Sequence, residues 1–321
     1  MRSEGRDRTT LLAFVLIVLF GGLNFVAVRF SNRELPPFWG AGIRFGAAAL
    51  LLYAVVLIQR LPLPRGRALL GTLVYGLLAF GLTYALAYRA MVHVPAGMAS
   101  VVMASAPLFT LLLAVAQRQE QFRWRSLAGA AVALVGIAIM FASALSTAVP
   151  PPALLAVAAV AVLFAEASII VKWFPRSHPV STNAVAMTVG TVILLVMSVL
   201  AGEARVVPVR PATWVALGHL ILLGSSTAFV LFLYVLRRWS ASAASYQFVL
   251  FPLVAILVGS WLEREPLTAA LLGGGGLVLA GVYFGAIAQP AGRPEVHQGP
   301  EPCLTCVTPS EQQAPRTPRA A

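Results

Sequence analysis

Long apolar runs alternate with short polar or proline-containing breaks along most of the chain, and this pattern predicts membrane-spanning helices. A helix needs about 20 mostly apolar residues to cross the roughly 30 Å hydrocarbon layer of a bilayer. Ten such runs can be read, each bounded by charge, proline or a polar cluster. They lie at about 11–29, 37–59, 68–88, 95–116, 126–146, 152–173, 181–201, 212–236, 241–261 and 268–288.

Both ends of the chain are polar. Residues 1–10 form a short tail, and the run 11–29 is too long for a signal peptide and lacks a small-residue cleavage site, so we interpret it as a retained first span. Residues 290–321 are rich in proline, glutamine and threonine, which predicts a disordered tail. Its lone pair Cys303 and Cys306 is more typical of incidental reduced thiols than of a zinc site.

Composition supports a membrane location. Hydrophobic residues make up 59% of the 321 positions and charged residues 11%, with a mean hydropathy of +0.86. Soluble domains average about one half apolar and about one quarter charged. The net charge of +12 could suggest a nucleic-acid partner, but the basic residues form short clusters between apolar runs. We therefore expect lipid around the chain and no nucleic acid.

The placement of positive charge predicts the orientation. With the N-terminus in the cytoplasm, sixteen of the 23 basic residues fall in cytoplasmic segments and six in external ones. Cytoplasmic loops of membrane proteins carry such an excess of lysine and arginine. The sequence thus predicts a multi-pass protein of the inner (cytoplasmic) membrane with both termini in the cytoplasm.

The polar inventory argues against enzymatic chemistry. Asp7 is the only aspartate and Lys172 the only lysine, and the four histidines are scattered without metal-binding spacing. No Walker-type phosphate loop is present either. We expect no catalytic residues, no cofactor and no metal.

An internal repeat suggests a function. A shift of 145 residues places Pro107 on Pro252 and Glu120 on Glu265. The same shift places two glycines, Gly129 and Gly136, on Gly274 and Gly281. The predicted units are 11–146 and 147–289, each of five helices. Because five is odd, the second unit enters the membrane from the opposite side, which is the inverted repeat of many secondary transporters.

Several short motifs recur in a fixed order along the chain. They are Gly22-x-Asn24-Phe25 with Arg29, Pro37 with Arg44-Phe45, Pro95 to Ser100 with Pro107 and Glu120, and Ala244-Ser245 with Pro252 and Glu265 to Thr268. In these motifs the chain resembles the EamA domain pair of the drug/metabolite transporter superfamily, over about residues 10–288. The resemblance implies a ten-helix carrier that moves small polar or amphipathic solutes, usually outward; such carriers include exporters of amino acids and other metabolites.

Other functions remain open at this point. The carrier would bind a small-molecule substrate and use either a proton gradient or the gradient of the substrate itself. An uptake permease or antiporter of the same fold is an alternative. A membrane enzyme or signalling component is less consistent with the sequence, since catalytic clusters and a soluble output domain are lacking.

Four polar residues inside predicted spans are candidates for the substrate cavity or for coupling. Glu166 could carry a proton or contact a cationic substrate group, or could be a structural carboxyl bonded to Ser168 or an arginine. Arg44 could bind a substrate carboxylate, support backbone carbonyls, or reach outward to water. His219 could shuttle protons or hold one neutral hydrogen bond. Asn24 could line the cavity or join two helices.

The remaining candidates concern gating and packing. Glu120 and Glu265 are expected to form capping or ion-pair latches, and Pro107 and Pro252 to act as hinges inside their helices. The paired glycines predict close helix packing, either within the chain or in a homodimer. Four side chains could face the cavity or simply pack: Tyr84, Tyr88, Tyr246 and Gln247.

Overall fold

The fold was determined as a computed structural model, which describes residues 8–91, 94, 102–140, 142, 150–263 and 269–287. Within these residues all regular structure is helical and no strand occurs, so the predicted all-α class is confirmed. The α-helices are α1 (Arg8–Ser31), α2 (Pro37–Ile58), α3 (Arg67–Gly76), α4 (Thr83–Met91), α5 (Ala106–Ala116), α6 (Trp124–Met140), α7 (Pro151–Trp173), α8 (Pro179–Leu200), α9 (Pro211–His219), α10 (Ala228–Leu236), α11 (Ala241–Ser245), α12 (Gln247–Glu263) and α13 (Ala269–Val282).

Three π-helical segments join or extend these helices. Leu77–Leu82 connects α3 to α4, Leu220–Thr227 connects α9 to α10, and Tyr283–Ile287 follows α13. Hydroxyl groups support the wider turns: Thr83 Oγ1 and Thr227 Oγ1 each donate to the carbonyl five residues earlier. The π-helix is rare and is found frequently at functional sites.

Six described helices are long and apolar enough to cross a bilayer, and shorter apolar helices accompany them. The molecule is therefore of the membrane-protein class. The long ones are Arg8–Val28, Pro37–Ile58, Arg67–Ala87, Pro151–Trp173, Pro179–Leu200 and Pro211–Leu236, and the shorter ones Ala106–Ala116, Trp124–Met140, Ala241–Ala255 and Gly273–Gly285.

The paired glycines bring α6 and α13 together within the chain. A Cβ on Gly129 would meet the backbone of Gly281, and a Cβ on Gly136 would meet the backbone of Gly274. Without side chains at these points the two helices approach to backbone contact. Of the two interpretations of the glycine pattern, intramolecular packing therefore accounts for these four positions.

The two prolines occupy different places in their helices. Pro252 lies inside α12, as predicted. Pro107 instead lies in the first turn of α5, two residues after the N-cap residue Ser105. Proline fits there because the first backbone N–H groups of a helix have no intrahelical acceptor. The expectation of a proline within the helix thus differs from the structure at Pro107, where the chain turns before the helix begins.

Candidate functional site

Arg44 is the most buried charged side chain among the site candidates. It extends from α2, is 2% exposed, and its Nε donates to Ser225 Oγ at 2.7 Å. Its guanidinium carbon lies 4.9 Å from the ring centre of Phe45 and 5.7 Å from that of Tyr84. Its Nη2 has no hydrogen-bond partner in the described part of the chain. A buried cation is costly unless paired, so this nitrogen is available to an acceptor.

Ser225, which accepts the hydrogen bond from Arg44, lies in the π-helical segment Leu220–Thr227 and is fully buried. Sequence reasoning missed it. The signal was present in the run Gly224-Ser225-Ser226-Thr227, a polar cluster inside an otherwise apolar span. Ser226 donates back to Ile221 of its own helix, which leaves Ser225 to face α2.

Asn24 joins the same place from α1. Its Nδ2 donates to the Gly224 carbonyl at 3.3 Å, while its Oδ1 has no partner among the described residues. A Cβ on Gly224 would overlap the Asn24 side chain, so only glycine permits this approach. The predicted polar residue Asn24 thus links two helices and also keeps a free acceptor.

His219 precedes Gly224 by five residues and ends α9. It is half-buried, lies beside the Phe20 backbone of α1 and is close enough to Arg44 to feel its charge. Its Nε2 has no partner within the described residues. We use the name Arg44 site for the group formed by Asn24, Arg44, His219, Gly224 and Ser225.

The tyrosine candidates lie in different parts of the fold. Tyr84 packs edge-on against Phe45, with ring centres 4.7 Å apart, and so borders the Arg44 site. Tyr246 is buried at another place, between α11 and α12, where its hydroxyl donates to the Ser126 carbonyl of α6 at 2.8 Å. Gln247 is buried beside it at the start of α12. Tyr88 lies on α4, and its side chain is outside the description.

Glu166 lies apart from the Arg44 site and shares no hydrogen-bond partner with it in the described chain. Both of its carboxylate oxygens accept from Gln117 Nε2, at 2.9 and 2.7 Å. Ser168, a partner considered from sequence, donates instead to the Phe164 carbonyl. Gln117, which sequence reasoning missed, ends α5 and in turn accepts from Trp173 Nε1 at 3.1 Å.

Glu120 caps α11, a helix in the second half of the chain. Its carboxylate accepts the backbone N–H of Ser242 at 3.1 Å and also the Ser242 hydroxyl, at the start of α11. Nearby, Lys172 Nζ donates to the Trp239 carbonyl at 2.8 Å. Glu120 thus contacts the start of a helix, whereas its counterpart in the repeat, Glu265, lies outside the described residues.

Two further glutamates cap helices on what the charge pattern predicts as the external face. Glu203 accepts the backbone N–H groups of Phe38 and Trp39, at 3.1 and 2.7 Å, at the start of α2. Glu34 accepts from the Arg210 N–H at 3.2 Å at the start of α9. The hydrogen bond from the Thr213 side chain, followed by bonds from the backbone, lowers the pKa of Glu34 below its usual value.

No three histidine, cysteine, aspartate or glutamate side chains in the described residues lie close enough together to hold a metal ion. The Arg44 site instead offers hydrogen-bonding groups to a polar ligand. Guanidinium Nη2 is a donor, Asn24 Oδ1 an acceptor, and His219 Nε2 can be either.

Comparison with known proteins identifies the relatives of this chain. The model of the EamA-like transporter family matches it twice, over residues 8–142 and 151–286. The inner membrane transporter YedA of Escherichia coli K12 is 32% identical over 259 residues, which cover 79% of this chain and 83% of YedA.

Two other relatives carry names that mention a solute. A protein of Streptantibioticus cattleyicolor, named "Probable terminal-alkyne amino-acid exporter", is 34% identical over 60% of this chain and 65% of its own length. One of Salmonella typhimurium LT2, named "Probable amino-acid metabolite efflux pump", is 26% identical over 84% of this chain and 92% of its own. A solved crystal structure has the same fold, with a TM-score of 0.76 at 19% identity over 87% of this chain and 96% of the other.

Proposed function

Because the chain belongs to the EamA-like transporter family and is a multi-pass protein of the inner membrane, we propose that it exports small carboxylate-bearing metabolites by alternating access. It is a transporter rather than an enzyme. The observation that carries the substrate class is the buried guanidinium of Arg44, whose Nη2 is unpaired among the described residues. A carboxylate is the natural partner of such a group.

The proposed architecture is ten transmembrane helices in two inverted five-helix units. The sequence repeat supports it, and so does the twofold match of the family model. The helix contacts are reciprocal: α1 of the first unit packs on α10 and α12 of the second, and α7 of the second packs on α4 and α5 of the first. Both units also place a π-helix in their third helical stretch, at Leu77–Leu82 and Leu220–Thr227.

Amino acids or their derivatives are the proposed solutes. The Arg44 site offers a donor for a carboxylate and, at Asn24 Oδ1, an acceptor for an ammonium group. The names of the two relatives that mention amino acids agree with this chemistry. Apolar and aromatic neighbours such as Phe45 and Tyr84 would contact the substrate side chain.

We place proton coupling at His219 rather than at Glu166. His219 ends the helix that leads into Gly224 and Ser225, next to Arg44, and a histidine changes charge near neutral pH. Glu166 lies elsewhere, bonded to Gln117.

Flux into proteoliposomes tests the proposal. Purified protein should give saturable transport of at least one labelled amino acid, and Arg44→Gln should reduce its kcat/KM at least tenfold, while Arg205→Gln in the exposed loop before α9 should not. His219→Gln should remove the pH dependence of the flux. Equal flux with Arg44→Gln contradicts the substrate site, and net uptake in intact cells contradicts export.

Cysteine labelling tests the inverted arrangement separately. In a background where Cys303 and Cys306 are serine, single cysteines at positions 120 and 265 should react with a membrane-impermeant reagent from opposite faces of the bilayer. Labelling of both from one face contradicts the inverted repeat.

A further inference from the structure

Between α3, α5 and α7 lies a groove of about 490 Å³ that the Arg44 site does not use. We call it the Glu166 groove; it is lined by Arg67, Val74, Gln117, Glu166, Ile170, Trp173 and Phe174. Phe174 packs on Gly71 of α3, and a Cβ at position 71 would overlap the Phe174 side chain.

The groove lies on the outer side of α7. Phe164 points the other way, with its ring centre 5.4 Å from that of Phe232 and 4.7 Å from that of Phe248. Glu166 follows two residues later, so its side chain is rotated by about 200° from Phe164. Ile170 and Trp173 continue the face of Glu166 at helical spacing, and Trp173 is 59% exposed.

The carboxylate of Glu166 is held in one position. Gln117 Nε2 donates to both of its oxygens, and Gln117 is itself oriented by the bond from Trp173 Nε1. One amide nitrogen cannot satisfy all the acceptor positions of a carboxylate, which has about four. No other hydrogen bond to Glu166 occurs among the described residues, so its remaining acceptor positions can accept from a molecule in the groove.

The negative charge of Glu166 has no cationic partner in the described part of the chain. Lys172 is the nearest basic residue along α7, but its Nζ donates to the Trp239 carbonyl. Arg67 stands at the first residue of α3, exposed to solvent, and no bond joins it to Glu166. A half-buried carboxylate within a membrane helix is costly without a partner, which makes it a candidate binding group.

We propose that the Glu166 groove binds a monovalent organic ammonium ion with an apolar body. The ammonium group donates to Glu166, and the apolar body lies against Val74 and Ile170 on one side and against the rings of Trp173 and Phe174 on the other. Aromatic faces attract cations as well as apolar groups. Arg67 repels the ligand only weakly, because its exposed charge is screened by water and salt.

The proposed ammonium site can be tested independently of transport, because the proposal predicts binding and does not require flux. The test measures the Kd of 2-phenylethylammonium for the full chain in nanodiscs by calorimetry, with 2-phenylethanol and 3-phenylpropionate as neutral and anionic counterparts. We expect the ammonium ion to bind at least tenfold more tightly than either counterpart. Glu166→Gln should weaken its binding about tenfold or more, because a charge-assisted hydrogen bond is lost.

Three variants complete the test. Val74→Trp should abolish binding by filling the groove without changing any charge, and it replaces Glu166→Gln as the test if that variant does not fold. Arg67→Gln should tighten binding slightly. Glu203→Gln, a carboxylate replaced in a loop far along the chain, should leave the Kd unchanged.

The proposal is overturned if Glu166→Gln and Val74→Trp both retain the wild-type Kd, or if the anion binds as tightly as the cation. Loss of ammonium binding in Arg44→Gln, with none in Glu166→Gln, also overturns it, because the ligand would then occupy the Arg44 site.

Discussion

Asn24 and Gly224 are 200 positions apart in the chain, yet the Asn24 amide donates to the Gly224 carbonyl and fills the space that a Cβ would occupy. The absence of a side chain at Gly224 therefore fixes how closely α1 approaches the helix that carries Ser225.

Gly224→Ala is predicted to abolish transport while the protein still reaches the membrane. The new methyl group forces the Asn24 side chain away from position 224, at a cost of about 1–3 kcal/mol. Gly218→Ala on the same helical stretch is the matched control, since a Cβ there meets no atom within 4 Å. Flux and thermal unfolding of both variants check this, and equal losses in the two would contradict the argument.

Ser225→Ala is predicted to destabilise the protein. It leaves the buried Arg44 Nε without its acceptor, which costs about 1–3 kcal/mol. Ser226→Ala should cost less, because among the described residues the Ser226 hydroxyl bonds within its own helix, to Ile221. The free energy of unfolding in denaturant, measured for both variants, should rank them in that order; the reverse order would show that Ser225 does not hold Arg44.

Glu120→Ala is predicted to loosen the start of α11. The carboxylate is the acceptor for the Ser242 N–H and hydroxyl, and losing a cap of this kind costs about 0.5–2 kcal/mol. Hydrogen exchange of a peptide covering 240–247 should become several-fold to about tenfold faster. Glu203→Ala should instead accelerate exchange at 37–40, where Phe38 and Trp39 lose their acceptor. Each variant is the control for the other, and exchange that rises at both places in either variant would indicate general unfolding.

The cap formed by Glu34 is predicted to fail in acid. Hydrogen bonds, first from Thr213, lower the pKa of this carboxyl in the folded state, so its stabilising effect is complete above the unfolded-state pKa. The effect disappears as the pH falls through the lower folded-state pKa. Wild type should thus melt above Glu34→Gln at pH 6, and the difference should shrink as the pH falls below the usual pKa of a glutamate and then disappear. A difference that is independent of pH would assign the effect to the amide itself.

Sequence patterns located the helices and several polar residues well, because both depend on local composition. The apolar runs predicted the helical stretches, and burial of Arg44, Asn24 and His219 in apolar spans marked them as unusual. The grouping of these three was not predictable, since it depends on the π-helical register that turns Ser225 toward α2. Glu166 was grouped with them as a candidate for the cavity or for coupling, because depth along a helix does not show which face of the helix a side chain occupies.

The partners of the carboxylates were equally hidden in the sequence. Gln117 reads as the polar end of a span, and Glu34 and Glu203 as ordinary loop residues. The partners of Gln117 lie about fifty residues away, and those of Glu34 and Glu203 more than 150 residues away, separations that no periodicity encodes. The cap by Glu120 was foreseeable only as a type of contact, and the two donors at Ser242, its backbone N–H and its hydroxyl, were not.

The helix caps formed by Glu34 and Glu203 restrict which loops can be exchanged with a related transporter. Glu34, in the loop between α1 and α2, caps α9. Glu203, in the loop between α8 and α9, caps α2. Each loop therefore caps the helix that follows the other loop. Grafting either loop alone from a related transporter would strip a helix start of its acceptor. Chimeras should therefore exchange residues 32–36 and 201–210 together.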